Sequence, residues 1–151
     1  MKISELLTTD LIKLETTAQD KEGILKEMID LLEQADKIED KDTFYQVILE
    51  REEKSSTGVG NGVAIPHGKS KTVAEPALVF VKSEEGIDFA SRDGQPAKLF
   101  FMIAVPEGGS DDHLSVLSKL SRKLMHEDFR KNLLDAADKE ELIEVIEAEE
   151  E

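Results

Sequence analysis

The sequence contains no cysteine among its 151 residues, and aromatic residues make up only 5% of it. A chain without cysteine has no disulfide, no thiolate metal site and no thiol nucleophile, so any covalent chemistry depends on another side chain. No stretch approaches the roughly 18 consecutive apolar residues of a membrane span, and no secretory signal pattern begins the chain. We therefore expect a cytoplasmic protein without direct membrane insertion.

Basic residues are scarce. The chain has 19 Lys and Arg but 34 Asp and Glu, which gives it a formal net charge of −15. This charge repels nucleic-acid phosphates and favours encounter with a basic partner, so we expect no nucleic-acid binding. Residues 138–151 hold eight acidic residues against one Lys, which indicates a solvated helix end or linker. The length and the hydrophobic content of 39% suit a single domain, which we place at residues 1–148, with 149–151 as an acidic tail or linker stub.

The spacing of apolar residues predicts alternating helices and strands. Helices are predicted at about 20–35, 42–53, 129–136 and 139–148, with a further helix after Ser110, and strands at 12–14, 63–65, 77–82 and 98–105. The last two strands are nearly continuous apolar runs, typical of strands covered on both faces. A turn signal at Asp93-Gly94 between them indicates an antiparallel excursion. We expect an α/β fold with α+β character, in which a mixed parallel and antiparallel sheet is sandwiched between helices.

His67 is the first candidate for covalent chemistry. It follows Pro66 in a segment rich in glycine, which we predict to be loop, strand and loop. A neutral imidazole has one nitrogen lone pair near pH 7 and can accept and return a phosphoryl group. On the residue alone, a loop histidine without a role is equally compatible.

Arg51 and His113 are the candidates that could bind an anion near it. Arg51 continues the apolar stripe of its helix, and its planar fork suits phosphoryl oxygens, although an arginine that extends to solvent fits the same spacing. His113 lies in the first turn of a predicted helix, where backbone amides favour an anion, although such a histidine often makes only local bonds. His126 is interpreted as a surface or capping residue.

The sequence nearly matches two nucleotide-binding motifs but contains neither. The sequence Gly68-Lys69-Ser70 would end a phosphate-binding loop only if residue 63 were glycine, and residue 63 is valine. The run Gly58-Val59-Gly60 misses the dinucleotide fingerprint at the same valine. The histidines at 67, 113 and 126 have no metal-ligand spacing either, so we expect neither a cofactor nor a metal.

The segment from Glu52 to Gly68, above all GVGNGVAIPHG, resembles the signature of enzyme IIA domains of the bacterial sugar phosphotransferase system, fructose/mannitol type. The similarity continues through DDHLSVLSKLSRKL and covers essentially the whole chain. The resemblance implies that His67 is the phosphorylated histidine, that His113 hydrogen-bonds the phosphoryl group, and that Arg51 stabilises its charge. The loop that supports His67 would comprise Thr57, Gly60, Pro66 and Gly68.

The same resemblance implies the partners. The donor would be the histidine-phosphorylated carrier HPr, and the acceptor a cysteine of enzyme IIB, which is either separate or fused with this domain and with IIC. The residues do not identify the sugar, and general resemblance favours fructose over mannitol. A shallow site that meets two proteins should be partly apolar with an acidic rim that attracts a basic carrier.

Two other functions stay open at this stage. One is a regulatory, nitrogen-type enzyme IIA module that acts through phosphorylation-dependent protein binding. The other is a phosphatase-like hydrolase that attacks through His67, which would need an acid for its leaving group that the motif does not provide.

Overall fold

The computed structural model describes residues 2–108 and 112–150, including all of their side chains except those of residues 112–114. In this part of the chain, six α-helices surround one sheet of six strands. The helices are α1 (Ile3–Leu6), α2 (Lys21–Gln34), α3 (Lys41–Lys54), α4 (Asp112–Lys123), α5 (Glu127–Asp135) and α6 (Lys139–Glu149). The strands are β1 (Ile12–Lys13), β2 (Gly58–Gly60), β3 (Val63–Ala64), β4 (His67–Ser70), β5 (Ala77–Ile87) and β6 (Ala97–Pro106).

The sheet is mixed, as predicted. Its strand order is β1-β5-β6-β3-β2, and β4 also pairs with β6, further along the same edge as β3. Strands β5 and β6 are antiparallel, whereas β3 and β4 both run parallel to β6. The two long apolar strands therefore form the centre of the sheet, which confirms the prediction from their composition.

Side chains of the two central strands alternate between two hydrophobic cores, as the period of two in a strand requires. Leu78 and Phe80 belong to the core beneath α1, α4, α5 and α6, together with residues such as Leu120 and Phe129. Val79 and Val81, one position along, belong to the core beneath α2 and α3. Helices thus cover both faces of the sheet, and the predicted sandwich is confirmed.

The segment between α3 and β5 contains more strand than predicted. Strands β2 and β3 form a hairpin through Asn61 and Gly62, whose φ angles of 59° and 79° match the two positive values of a type I′ turn. His67 begins β4, so its placement in a loop was wrong. The sequence of β4 has weak strand propensity, and this strand forms because its backbone pairs with β6.

The helices begin and end close to the predicted bounds. Asp20 and Asp138 N-cap α2 and α6 by accepting from the backbone N–H groups of Gly23 and Glu141. Ser110, the predicted N-cap of α4, lies outside the described residues. No helix in residues 2–108 or 112–150 has the length and apolar character needed to cross a membrane.

Candidate functional site

The imidazole of His67 is half-buried and contacted at both nitrogens. Its Nδ1 lies 2.9 Å from the carbonyl oxygen of Ile65, and because a carbonyl only accepts, Nδ1 carries the proton. Its Nε2 accepts from Nε–H of Arg51 at 3.3 Å. The ring is therefore held as the neutral Nδ1–H tautomer, with the lone pair on Nε2 directed toward a guanidinium. A nitrogen lone pair of this kind is what a nucleophile for phosphoryl transfer needs.

Arg51 reaches His67 from the last turn of α3. Its Nη1 donates to the carbonyl of Ser55 at 2.9 Å, just beyond the end of that helix. The guanidinium thus contacts the helix end with one nitrogen and the imidazole with another. The structure brings together two of the three residues predicted from the sequence.

A shallow depression of about 320 Å³ opens beside this pair. Its apolar walls are Val47, Ile103, Val105 and Leu117, and its charged lining consists of Glu50, Arg51, Lys54 and Lys69. The charged residues that line the depression are thus three cations and one acid. The acidic rim expected around it stays a prediction. Positive charge here suits a site that binds a phosphoryl group.

The predicted supporting residues position the backbone around His67. Pro66 is buried, and its carbonyl accepts from the backbone N–H of Ile103 at 3.0 Å, next to the pairing of His67 with Ile103. Gly68 lies against α3, where a Cβ would come within 3.0 Å of a methyl carbon of Val47. Gly60 ends β2 with a φ of 98°, which favours glycine.

Thr57 is the fourth supporting residue, and it belongs to a buried polar cluster with Glu52. The carboxylate of Glu52 accepts from the backbone N–H of Thr57 at 3.1 Å and from its hydroxyl at 2.5 Å. Lys21, the first residue of α2, completes the cluster with an ion pair of 2.9 Å to the same carboxylate.

Sequence reasoning missed several of these residues. Lys21 lies 31 positions before Glu52, and no local pattern connects the two. Lys54 follows Arg51 by three residues on α3, so its helical spacing could have placed it beside the site. Lys69 belongs to a strand that the sequence did not indicate.

The other two histidines fall in different places. His113 belongs to the first turn of α4, but its side chain lies outside the described residues, so its contact with His67 stays a prediction. His126 is exposed beyond the far end of α4, where it lines a separate depression with Lys2 and Arg122.

Comparison with known proteins gives consistent matches over nearly the whole chain. Residues 5–149 match the family model described as phosphoenolpyruvate-dependent sugar phosphotransferase system, EIIA 2. The fructose-specific EIIA component of Haloferax volcanii is 46% identical over 144 residues, which cover 95% of this chain and 94% of that protein. The fructose-specific EIIABC component of Bacillus subtilis is 47% identical over 146 residues, or 97% of this chain. The match covers only 23% of that longer relative.

Among solved structures, the nitrogen regulatory protein IIA-Ntr from Neisseria meningitidis superposes with a TM-score of 0.89. The two are 33% identical, and the match covers 95% of this chain and 98% of the other.

Proposed function

The chain belongs to the EIIA 2 family of the phosphoenolpyruvate-dependent sugar phosphotransferase system, and from this premise we propose that His67 carries its phosphoryl group. A domain of this family is a phosphotransferase component that works through a phosphohistidine. The observation that supports His67 is its fixed Nδ1–H tautomer, which leaves the Nε2 lone pair next to a guanidinium.

The proposed reaction has two displacements at phosphorus. In the first, a bond forms between Nε2 of His67 and the phosphorus of phosphorylated HPr, while the donor N–P bond breaks and the donor imidazole keeps the electron pair. In the second, the thiolate of a cysteine on enzyme IIB bonds to the phosphorus as the Nε2–P bond breaks. Nε2 then regains its lone pair, and the carrier is ready for another cycle.

The protein supplies alignment and positive charge to both steps, which is what a loose phosphoryl transition state needs. We propose that the Arg51 side chain, which covers Nε2 at 3.3 Å in the resting site, moves onto the phosphoryl oxygens when phosphorus arrives. Lys54 and Lys69 line the same depression and add to its positive potential. His113, by resemblance, donates a hydrogen bond to the phosphoryl group.

Fructose is the sugar that the comparisons favour, because both relatives named fructose-specific are 46–47% identical to this chain. The B. subtilis relative joins EIIA to B and C parts in one chain, which supports enzyme IIB as the acceptor, either fused or separate. Sugar and acceptor belong to the larger system, and we place this domain on the cytoplasmic side of it.

A direct test replaces each of two histidines. In His67→Ala the nucleophilic nitrogen is gone, so incubation with radiolabelled phospho-HPr should leave the variant unlabelled. His126→Ala is the matched control, because that residue is exposed at the far end of α4, and it should take up label as the wild type does. Stable label on His67→Ala would refute the assignment.

A regulatory role is the second candidate, supported by the likeness to the Neisseria nitrogen regulatory protein. Both functions begin with phosphorylation, so the second transfer separates them. A sugar-transport component should lose its label when a fructose-type enzyme IIB and fructose are added. Label that persists under those conditions would favour the regulatory module.

A further inference from the structure

The carboxylate of Glu52 follows Arg51 on α3, and the two displacements above do not use it. Glu52 is only 9% exposed, and Thr57, which donates to it twice, is 2% exposed. A carboxylate removed from water needs several donors, and here Thr57 and Lys21 supply three. The buried carboxylate therefore has the hydrogen-bond donors that it needs. The further hydrogen bonds of the same residues show which parts of the site the cluster positions.

One connection leads to Arg51. Glu52 follows Arg51 in α3, and its two bonds to Thr57 fix the chain just after that helix ends. Ser55 lies in this fixed stretch, and its carbonyl accepts from Nη1 of Arg51 at 2.9 Å. The orientation of the guanidinium thus depends on a segment that Glu52 anchors.

The other connection leads to His67. The carbonyl of Thr57 accepts from the backbone N–H of Ile65 at 3.0 Å. The carbonyl of Ile65 in turn accepts from Nδ1–H of His67 at 2.9 Å, and this bond selects the tautomer. A shift of Thr57 would therefore reach the imidazole through two hydrogen bonds.

Lys21 is placed where its own helix does not favour it. It is the first residue of α2, and a cation at a helix N-terminus opposes the helix dipole. Its ammonium nevertheless lies 2.9 Å from Glu52 and 4.5 Å from the centre of the buried Phe89 ring. The position is explained by the carboxylate that it neutralises.

We infer that Glu52, paired with Lys21, is a positioning residue that sets the Arg51 guanidinium and the His67 tautomer together through Thr57. The inference rests on the proposed function, because it concerns how the same site is prepared for transfer. It assigns no contact between Glu52 and the phosphoryl group.

The test measures two quantities: the rate of phosphoryl transfer from phospho-HPr and the tautomer of the His67 ring. Glu52→Gln keeps the shape but loses the charge, whereas Thr57→Val keeps the ion pair and removes the hydroxyl donor. Both should slow single-turnover transfer from phospho-HPr by about 10- to 100-fold, the scale expected for a misplaced reacting group. In both, ¹⁵N NMR of the His67 ring should show a mixture of the two neutral tautomers.

Glu53→Gln is the matched control, since Glu53 is the exposed neighbour on the same helix, and it should behave as wild type in both measurements. Thr57→Ser restores the hydroxyl and should recover most of the rate. If Glu52→Gln does not fold, Thr57→Val carries the test alone.

Wild-type tautomer and rate in a folded Thr57→Val protein would overturn the inference and leave the proposed function intact. Failure of the wild type to take up phosphate would instead refute the proposed function. The ring spectrum still decides the positioning role in that case, because it needs no donor.

Discussion

The imidazole of His67, which we propose as the phosphoryl carrier, is already oriented by its contacts in the structure. Its two nitrogens are held by different parts of the chain, Nδ1 by the backbone of Ile65 and Nε2 by the side chain of Arg51. A nucleophile fixed in this way does not have to find its orientation or tautomer during the reaction. Arg51 covers the Nε2 lone pair in the structure, so under the proposed function its flexible side chain moves as phosphorus approaches.

The first residue-scale prediction concerns that side chain. Arg51→Lys retains the positive charge but loses the planar fork that contacts the ring and the oxygens at once. We expect single-turnover transfer from phospho-HPr to fall about 100-fold, as for loss of one preorganised donor in other enzymes. Arg122→Lys, at the far end of α4, is the control. An Arg51→Lys protein that transfers at the wild-type rate would exclude the proposed role.

At this scale the sequence identified the chemistry of single residues, and the resemblance added the loop residues that support His67, but neither showed the contact of Lys21 with Glu52. His67 and Arg51 were found because a nucleophilic ring and a forked cation are recognisable by type. The contact of Lys21 with Glu52 depends on how α2 packs beside α3. No residue spacing in the sequence predicts this packing.

At the scale of elements, α3 determines where Arg51 lies, and Asp40 determines where α3 begins. Asp40 accepts from the backbone N–H groups of Asp42 and Thr43 and from the Thr43 hydroxyl. The bond from the Thr43 backbone, followed by the one from its hydroxyl, lowers the pKa of the Asp40 carboxyl below its ordinary value. The ionised cap is therefore more favourable in the folded than in the unfolded chain.

The pH dependence of this cap is the element-scale prediction. The pKa of the Asp40 carboxyl is lowered in the folded protein. The contribution of its charge to folding stability is therefore complete above the ordinary Asp pKa of about 3.9. That contribution disappears as the pH falls through the lower pKa of the folded state. Asp40→Ala should lower the unfolding temperature at neutral pH, and its deficit against wild type should shrink in acid.

Asp40→Asn separates capping from charge, because asparagine caps a helix almost as well and does not titrate. Thermal unfolding of the three proteins between neutral and strongly acidic pH is the measurement. A deficit of Asp40→Ala that stays constant down to the lowest pH would contradict the assigned cap.

Elements with a strong apolar pattern were predictable, and elements formed by pairing alone were not. Strands β5 and β6 appear in the sequence as continuous apolar runs because helices cover both faces. Strand β4 reads His-Gly-Lys-Ser, which has no such pattern, and it exists through its parallel register with β6. Its close approach to α3 depends on Gly68, which the resemblance placed in the loop that supports His67 but did not connect with α3.

At the scale of the whole molecule, helices on both faces leave the ends and edges of the sheet for partners. Within the described residues β4 pairs only with β6, and three residues of β4 line the depression beside α3. The chain carries a net charge of −15, yet three cations line the depression beside His67. Positive charge is thus concentrated in the depression where we propose that the phosphoryl group is held.

The long-range organisation was only partly predictable. Apolar periodicity was sufficient for the sandwich, because each stripe needs a sheet face to cover. The contact between the two ends of the described chain was not foreseen: Glu150 accepts from the backbone N–H groups of Ile3 and Ser4 across nearly the full sequence. The domain boundary at residue 148 stays a prediction, and this contact shows that residues beyond it touch the folded domain.

The most direct test of the account is to locate the phosphoryl group on the protein itself. ¹⁵N-labelled protein is exposed to phospho-HPr, and long-range ¹H–¹⁵N NMR of its three histidine rings is recorded before and after. We predict the Nδ1–H tautomer of His67 before exposure, and afterwards a phosphoryl group on Nε2 of that ring alone. A phosphoryl group on Nδ1 of His67, on another histidine or on none of the rings would contradict it.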